Sequence, residues 1–352
     1  MLVWIAWIVS FFFAMNIGAS GAAATMGAAY GSGAIKQKRL ALLLCAMAIF
    51  LGSLSGGEVV KTIGSGIVPS SVLETDIVII ILVSATISLF AANIMGIPLS
   101  TSEITVGAVV GAGIAYQSVY VSKLLWIVSF WVITPFVAFL LAYLVGKWLN
   151  AKRKTFIHSA KTLSVLLIIA GFFEAFSAGM NNVANAVGPL VGAGLISVHT
   201  GIMFGGLFVA LGALLLGGRV LETNGKKITS FSQLEGCIIS GIGAALVITA
   251  SIFGLPVPLT QITTSAIIGI GTAQNGFYLW QKQIVIQVLK VWIVSPIFSL
   301  AISYSLIKLL LHSDLYTVIA IVSVCLATIG TISLKKTVTE EKRSFHEHGG
   351  GI

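Results

Sequence analysis

The sequence predicts an all-α polytopic integral membrane protein made of two inverted-topology repeats with broken or re-entrant helices. Three observations carry this expectation: an apolar composition, apolar runs of spanning length, and a duplication that can be read block by block. Hydrophobic residues make up 57% of the chain and charged residues 9%, and the mean hydropathy is +1.05. A soluble domain carries about 25% charged residues because its surface meets water. A chain this apolar needs lipid to cover it.

Runs close to the ~20 residues that cross a bilayer occur at Leu40–Leu54, Ile77–Met95, Leu124–Val145, Ile202–Leu216, Gly236–Phe253, Ile284–Leu311 and Leu315–Leu334. Helices are the expected element, since hydrocarbon cannot satisfy open backbone groups and barrel strands read as short alternating segments. The opening MLVWIAWIVSFFFAM has no positive n-region and no small-residue cleavage site, so it reads as a retained membrane segment. Cys45, Cys237 and Cys325 stand singly in apolar stretches, which fits packing better than a disulfide framework or a metal site. The five histidines (His158, His199, His312, His346, His348) fall in loops or the tail. A net charge of +9 comes largely from loops and reports membrane orientation. Nucleic acid is not an expected partner; the lipid bilayer is.

Self-comparison shows the duplication. One constant offset places Phe11–Ile35 on Phe172–Ile196, superposing Gly18 on Gly179, Gly27 on Gly188, Gly31 on Gly192 and Gly33 on Gly194. It also pairs Gly57–Ile67 with Gly218–Ile228. A slightly smaller offset matches Gly96–Thr105 (GIPLSTSEIT) to Gly254–Thr263 (GLPVPLTQIT), and the tetrapeptide WIVS recurs at Trp126 and Trp292. Four blocks in the same order make a tandem duplication. Residues 1–146 form the first repeat, 147–161 a basic cytoplasmic loop, 162–334 the second repeat and 335–352 a polar tail.

Loop charge predicts that the repeats are inserted in opposite senses. Lys36–Arg39 (KQKR) is basic, whereas its counterpart Ser197–Thr200 (SVHT) holds no Lys or Arg. Conversely, Lys226 and Lys227 stand where the first half has Ser65 and Gly66. Positive loops are cytoplasmic, so the halves should be inverted, each crossing an odd number of times, with the substrate between them near the midplane. Both termini are then expected outside the cytoplasm. The tail's Lys335, Lys336, Lys342 and Arg343 run against that placement and are diluted by Glu340, Glu341 and Glu347. For oligomeric state, a homodimer is admissible as well as a monomer.

Glycine- and proline-rich stretches interrupt the apolar sequence of both halves, and such backbone is tolerated in a membrane only against protein or a watery cavity. Spacing such as Gly27-xxx-Gly31 and Gly188-xxx-Gly192 reads as close helix packing. Two pairs of polar clusters beside these stretches need another reason. The first pair is Asn16 and Ser20 against Ser177, Asn181, Asn182 and Asn185. The second is Ser100, Thr101, Ser102 and Glu103 after Pro98, against Thr260, Gln261, Thr263, Thr264 and Ser265 after Pro256. Proline followed by Ser and Thr marks a helix start, whose free amides and dipole favour an anion. Hydroxyls and amides add donors without a counter-charge. For any single Ser or Thr, a bond to its own helix carbonyl is the commoner fate; the paired clusters together read as a substrate site.

Four carboxylates lie in or beside apolar sequence, where ionisable groups tend to be functional. Glu58 with Lys61, and Arg219 with Glu222, read as structural ion pairs, within a helix or across the repeats. Glu103, aligned with neutral Gln261, and Glu174, aligned with Phe13, are the candidates for carrying a proton with the substrate.

These residues resemble the inorganic phosphate transporter family, whose repeats carry G-x-N-D-V-A-N-A and P-x-S-T-T-H signatures. Gly179–Ala186 (GMNNVANA) follows the first with Asn182 at its Asp position, and Gly18–Thr25 (GASGAAAT) follows it loosely with Gly21 there. Pro98–Glu103 (PLSTSE) follows the second with Glu103 in place of His. The wording through to the closing HGGGI looks most like the bacterial sulfate permease branch. The resemblance implies a secondary transporter, with Ser20, Gly21, Ser100, Thr101, Ser102, Asn181, Asn182, Thr260, Gln261, Thr263 and Thr264 as its substrate-site positions. Hydrogen phosphate can donate a hydrogen bond to an Asp; fully ionised sulfate has only acceptor oxygens and is repelled by one. Gly21 and Asn182 remove that charge. The expectation is sulfate import with protons favoured over Na⁺ and no cofactor, the alternative being phosphate symport. An anion channel would need a continuous polar path in place of paired clusters. An enzyme is not expected, for no H-E-x-x-H, Walker or G-x-S-x-G motif occurs.

Overall fold

The computed structural model describes residues 1–94, 99–152, 159–228, 232–276 and 283–323. These are helical throughout, with no strand among the described residues. The first repeat runs α1 (Leu2–Gly31), α2 (Lys38–Ser53), α3 (Gly57–Lys61), a π turn at Thr62–Gly66, α4 (Thr75–Ile94), α5 (Thr101–Ala115) and α6 (Val121–Lys152). The second runs α7 (Ala160–Gly192), α8 (Val198–Ile228), α9 (Gln233–Ile252), α10 (Leu259–Asn275) and α11 (Gln283–Leu310). Among the described residues, six helices are long and apolar enough to cross a membrane. A seventh candidate is α2 with α3 and the π turn, bent by 64°. The expected span Leu40–Leu54 is therefore only the first limb of a bent one.

The chain divides into two units, residues 1–303 and 304–352. Within the second, Asp314 accepts the Thr317 hydroxyl at 2.6 Å and its amide at 3.0 Å, which holds the Asp314 carboxyl below its usual pKa. Residues 315–323 are helical. The rest of Leu315–Leu334, the tail with its charges, Cys325, and Gly96–Pro98 of the first-half signature lie outside the described residues, as does 153–158 of the basic loop.

The glycine-rich stretches of the first cluster pair are not breaks. Both α1 and α7 pass straight through Phe11–Gly31 and Phe172–Gly192, because their glycines sit against other helices. A Cβ built on Gly18 would lie 1.8 Å from the Val209 carbonyl oxygen, and one on Gly179 would lie 2.0 Å from that of Ile49. Close backbone approach is what small residues give to packing in lipid.

The same contacts define the relation between the halves. Gly18 meets α8 as Gly179 meets α2; Gly212 abuts the Met15 carbonyl as Gly52 abuts that of Phe176. The Ser10 hydroxyl donates to the Ala186 carbonyl at 2.9 Å, and a Cβ on Gly171 would lie 3.0 Å from the Thr25 carbonyl. Ser10 corresponds to Gly171 and Thr25 to Ala186, so each contact is the image of the other. The start of α1 lies beside the end of α7, and the reverse. The repeats are antiparallel and related by a pseudo-twofold, as the loop charges predict.

Of the expected ion pairs, Lys61 and Glu58 meet at 2.6 Å with both side chains more than half exposed. Such pairs contribute about 0–1 kcal/mol. Glu222 makes an ion pair across the repeats: it bonds Lys38, at the start of α2, at 2.8 Å. The Arg219 side chain lies outside the described residues. Because α8 ends where α2 begins, a carboxylate at the close of one helix meets an ammonium at the opening of its repeat counterpart.

Candidate oxyanion site

The site is built on a break in the second repeat. α9 closes at Gly254, whose φ of +70° is the left-handed conformation that ends helices. Two prolines then keep 255–258 extended until α10 begins. An open backbone inside a membrane must find protein partners. Asn181 of α7 supplies them: its Nδ2 donates to the Leu255 carbonyl at 3.0 Å, and its Oδ1 accepts the Val257 amide at 3.3 Å. The Trp131 indole donates to the Pro256 carbonyl at 2.9 Å. Thr62 and Glu58 of the bent first-half span lie against Gly254, leaving a built Cβ only 3.0 Å from the Thr62 hydroxyl.

The start of α5 comes to the same place. Ser100 is its extended N-cap, with its Oγ at 3.5 Å from the Glu103 amide. The next two hydroxyls turn to α7. Ser102 donates to Asn181 Oδ1 at 3.2 Å and Thr101 to Asn182 Oδ1 at 3.2 Å. Asn185 Nδ2 stands 3.1–3.3 Å from Thr101, Ser102 and Asn182. Asn181, Asn182, Asn185, Thr101 and Ser102 are all buried. Asn181 thus ties both helix starts together, and its capacity is used on the fold: beyond these bonds Nδ2 also donates to Ser251 at 2.9 Å. Asn182 is different. Its carbonyl is held by Thr101 and Asn185, which orients its NH₂ group away from them.

Glu103 faces the other side of α5. Its Oε2 accepts the Ser295 hydroxyl of α11 at 2.6 Å, and Oε1 accepts the Gln261 amide of α10. Glu103 and Gln261 are the same position in the two repeats, so this bond crosses the pseudo-twofold. Both line a groove of about 800 Å³ whose other walls include Trp131, Pro135, Trp292 and Pro296. The second buried carboxylate, Glu174, is held apart from this cluster by Thr263 at 3.0 Å and by Ser240. Gly243 leaves room for it, since a Cβ there would lie 3.0 Å from Glu174 Oε1.

The structure therefore brings together Ser100, Thr101, Ser102, Asn181 and Asn182 of the expected site, while Gln261 lies with Glu103. Thr263 serves Glu174, and the hydroxyl of Thr264 returns to the Thr260 carbonyl at 2.7 Å; Thr260 is half-buried on the first turn of α10. On α1, Ser20 bonds back to Ile17 at 3.0 Å and Asn16 to Phe12 at 2.9 Å, while nothing approaches within 4 Å of a Cβ on Gly21. Sequence reading missed Ser251, Ser240, Ser295 and Trp131. The WIVS recurrence contained Ser295, but only the fold shows that it meets a carboxylate. Among the described residues no three of His, Cys, Asp and Glu gather as metal ligands.

Comparison with known proteins decides the family. The profile of the phosphate transporter family matches residues 17–303. The chain belongs to that family. A relative described as sulfate permease CysP, from Bacillus subtilis strain 168, is 60% identical over 349 residues, covering 98% of each chain. A putative phosphate permease of Pyrococcus furiosus is 28% identical over 82% of this chain and 91% of its own. A solved structure described as the sodium-dependent phosphate transporter superposes with a TM-score of 0.76, over 88% of this chain and 99% of that one, at 23% identity. The fold of this chain is thus shared with that structure, and its multi-pass character follows from both the family and its apolar helices.

Proposed function

We propose that this family member is a permease importing inorganic sulfate across the cytoplasmic membrane in symport with protons. One observation carries the reading. At the start of α5 the hydroxyls of Thr101 and Ser102 meet asparagine amides from α7, and the amide of Asn182 stands where the family signature has a carboxylate. Sulfate brings no proton to such a site, so neutral donors bind it and an ionised Asp would repel it. The 60% identity to a protein described as a sulfate permease supports the same substrate. Glu103, turned from the amide cluster onto Gln261 and Ser295, supports a proton carrier that does not oppose the anion.

Orientation follows from packing and charge. The Lys38–Glu222 contact sets the start of α2 and the end of α8 at one end of the bundle. The Thr25–Gly171 approach adds the end of α1 and the beginning of α7. The basic residues of 36–39 and 147–152 adjoin that end, which supports a cytoplasmic face there and an N-terminus outside. Purified protein in liposomes tests the function: labelled sulfate should accumulate under an inward proton gradient and not under a sodium gradient. Accumulation of phosphate but not sulfate would overturn the substrate, and sodium dependence the coupling ion.

A further inference from the structure

We infer that Ser295 is a positioning residue that reads the protonation state of Glu103, reversing its hydrogen bond when the carboxyl takes a proton and so passing that state to α11. The inference rests on the proton-coupled reading above and names the side chain through which it would work.

Two arrangements of this serine can be written from the structure. In the one observed, the Ser295 hydroxyl donates to Glu103 Oε2 at 2.6 Å, the bond an ionised carboxylate accepts. Its repeat counterpart Ser129, closing the same WIVS tetrapeptide on α6, shows the other: that hydroxyl donates to Leu125, four residues back, at 2.7 Å. When Oε2 is protonated, its O–H becomes a donor and needs an acceptor. A hydroxyl can turn round because it both donates and accepts. Ser295 then accepts from Glu103 and sends its own hydrogen to the Val291 carbonyl, as Ser129 does to Leu125. The Trp292 carbonyl is a second acceptor within its turn, because Pro296 has no amide to bond it. One proton is added to Glu103 and no other is exchanged. Gln261 can follow only by turning its whole amide over, whereas Ser295 needs only the rotation of its hydroxyl hydrogen.

The seam around this bond is tight enough to transmit the change. A Cβ on Gly107 would lie 2.3 Å from the Pro296 carbonyl, and Ser299 donates to the Ile104 carbonyl at 2.6 Å. α5 and α11 therefore touch backbone to backbone one turn beyond Glu103. Other titratable groups are placed elsewhere. α10 carries none; Lys123, Tyr143 and Lys147 sit toward the ends of α6; Lys290 on α11 has its side chain outside the described residues; and Glu174 on α7 is bonded to Thr263 and Ser240.

Sulfate uptake into liposomes is measured against pH, together with sulfate exchange at equal pH on both sides, for the wild type, Ser295→Ala, Ser295→Thr and Ser129→Ala. Ser295 bonds both forms but holds the ionised one more strongly, a charge-assisted bond being about twice a neutral one. Ser295→Ala should therefore move the midpoint of the uptake profile to higher pH by about one unit, with exchange retained. Ser295→Thr should restore the profile, and Ser129→Ala should leave it unchanged. An unmoved profile in Ser295→Ala, or an equal shift in Ser295→Thr, overturns the inference. Should Ser295→Ala not fold, infrared difference spectra of the wild type decide: the carboxyl band that vanishes in Glu103→Gln must lie at a hydrogen-bonded frequency, and a free-carboxyl frequency overturns the inference. A wild type indifferent to the proton gradient would instead defeat the coupling reading itself, which separates the two failures.

Discussion

The two repeats share a scaffold and differ at nearly every polar position that matters. In the second, α8 runs unbroken for 31 residues. In the first, the same stretch bends by 64° between Ser53 and Gly57, which brings Thr62 against the break at Gly254. On α7, Asn181, Asn182 and Asn185 face α5; on α1 the corresponding Ser20 bonds back to its own helix and Gly21 carries no side chain. Glu103 meets Gln261, and Ser295 serves a carboxylate where Ser129 bonds its own carbonyl. Apolar contacts between glycines and carbonyls have kept the twofold, while the polar side chains have left it. Duplication supplied a frame that closes on itself, and divergence placed one neutral amide cluster and two buried acids within it.

The largest effect should come from breaking what is symmetric. Gly18→Ala and Gly179→Ala would each press a methyl into a backbone carbonyl, at 1.8 and 2.0 Å. Neither helix can give way without unpacking, so both variants should lose the monodisperse peak on size exclusion in detergent. Gly21→Ala, three residues from Gly18 and with open space around it, should elute as wild type. A folded Gly18→Ala protein would show that the α1–α8 contact is not essential.

Next in size is the clamp on the broken half. Asn181→Leu leaves the Leu255 carbonyl and the Val257 amide without partners in a dry interior. Each buried group so orphaned costs about 1–3 kcal/mol, so the melting temperature in detergent should fall by many degrees and uptake should vanish. The test of the divergent cluster is milder for the fold and sharper for function. Asn182→Asp restores the family's carboxylate beside Thr101, and like-charge juxtaposition costs several kcal/mol. Sulfate uptake should drop more than about tenfold while melting changes little; unaltered uptake would remove Asn182 from the substrate path. The smallest effect belongs to the exposed pair: Glu58→Gln should change stability by under about 1 kcal/mol, read from the same melting curves.

Much of this was legible before any coordinates. Hydropathy marks the helices because a bilayer leaves no other solution for the backbone. The proline-containing segment ahead of α10 announces its break, since proline cannot donate and Gly254 takes the left-handed turn. The offset between Gly18 and Gly179 announces the twofold. The glycines of α1 and α7 mark close approach, as their spacing reads, because the penalty of glycine in a helix is outweighed when a neighbouring backbone fills its space. Where the hydroxyls of Ser20, Thr263 and Thr264 bond was not legible, since a hydroxyl satisfies itself on the nearest acceptor, and only packing says which acceptor is near.

By itself, then, the chain's order of residues determined a membrane protein of two opposed halves, with polar helix starts and two buried acids. Those properties depend on local chemistry and on loop charge, and both are written along the chain. Tertiary structure decided that Glu222 bonds Lys38, that Asn181 ties α5 to the break before α10, and that Glu103 turns to Gln261 and Ser295. Each of these joins residues far apart in sequence, and direction in space is set by how helices pack, which no single stretch of sequence encodes.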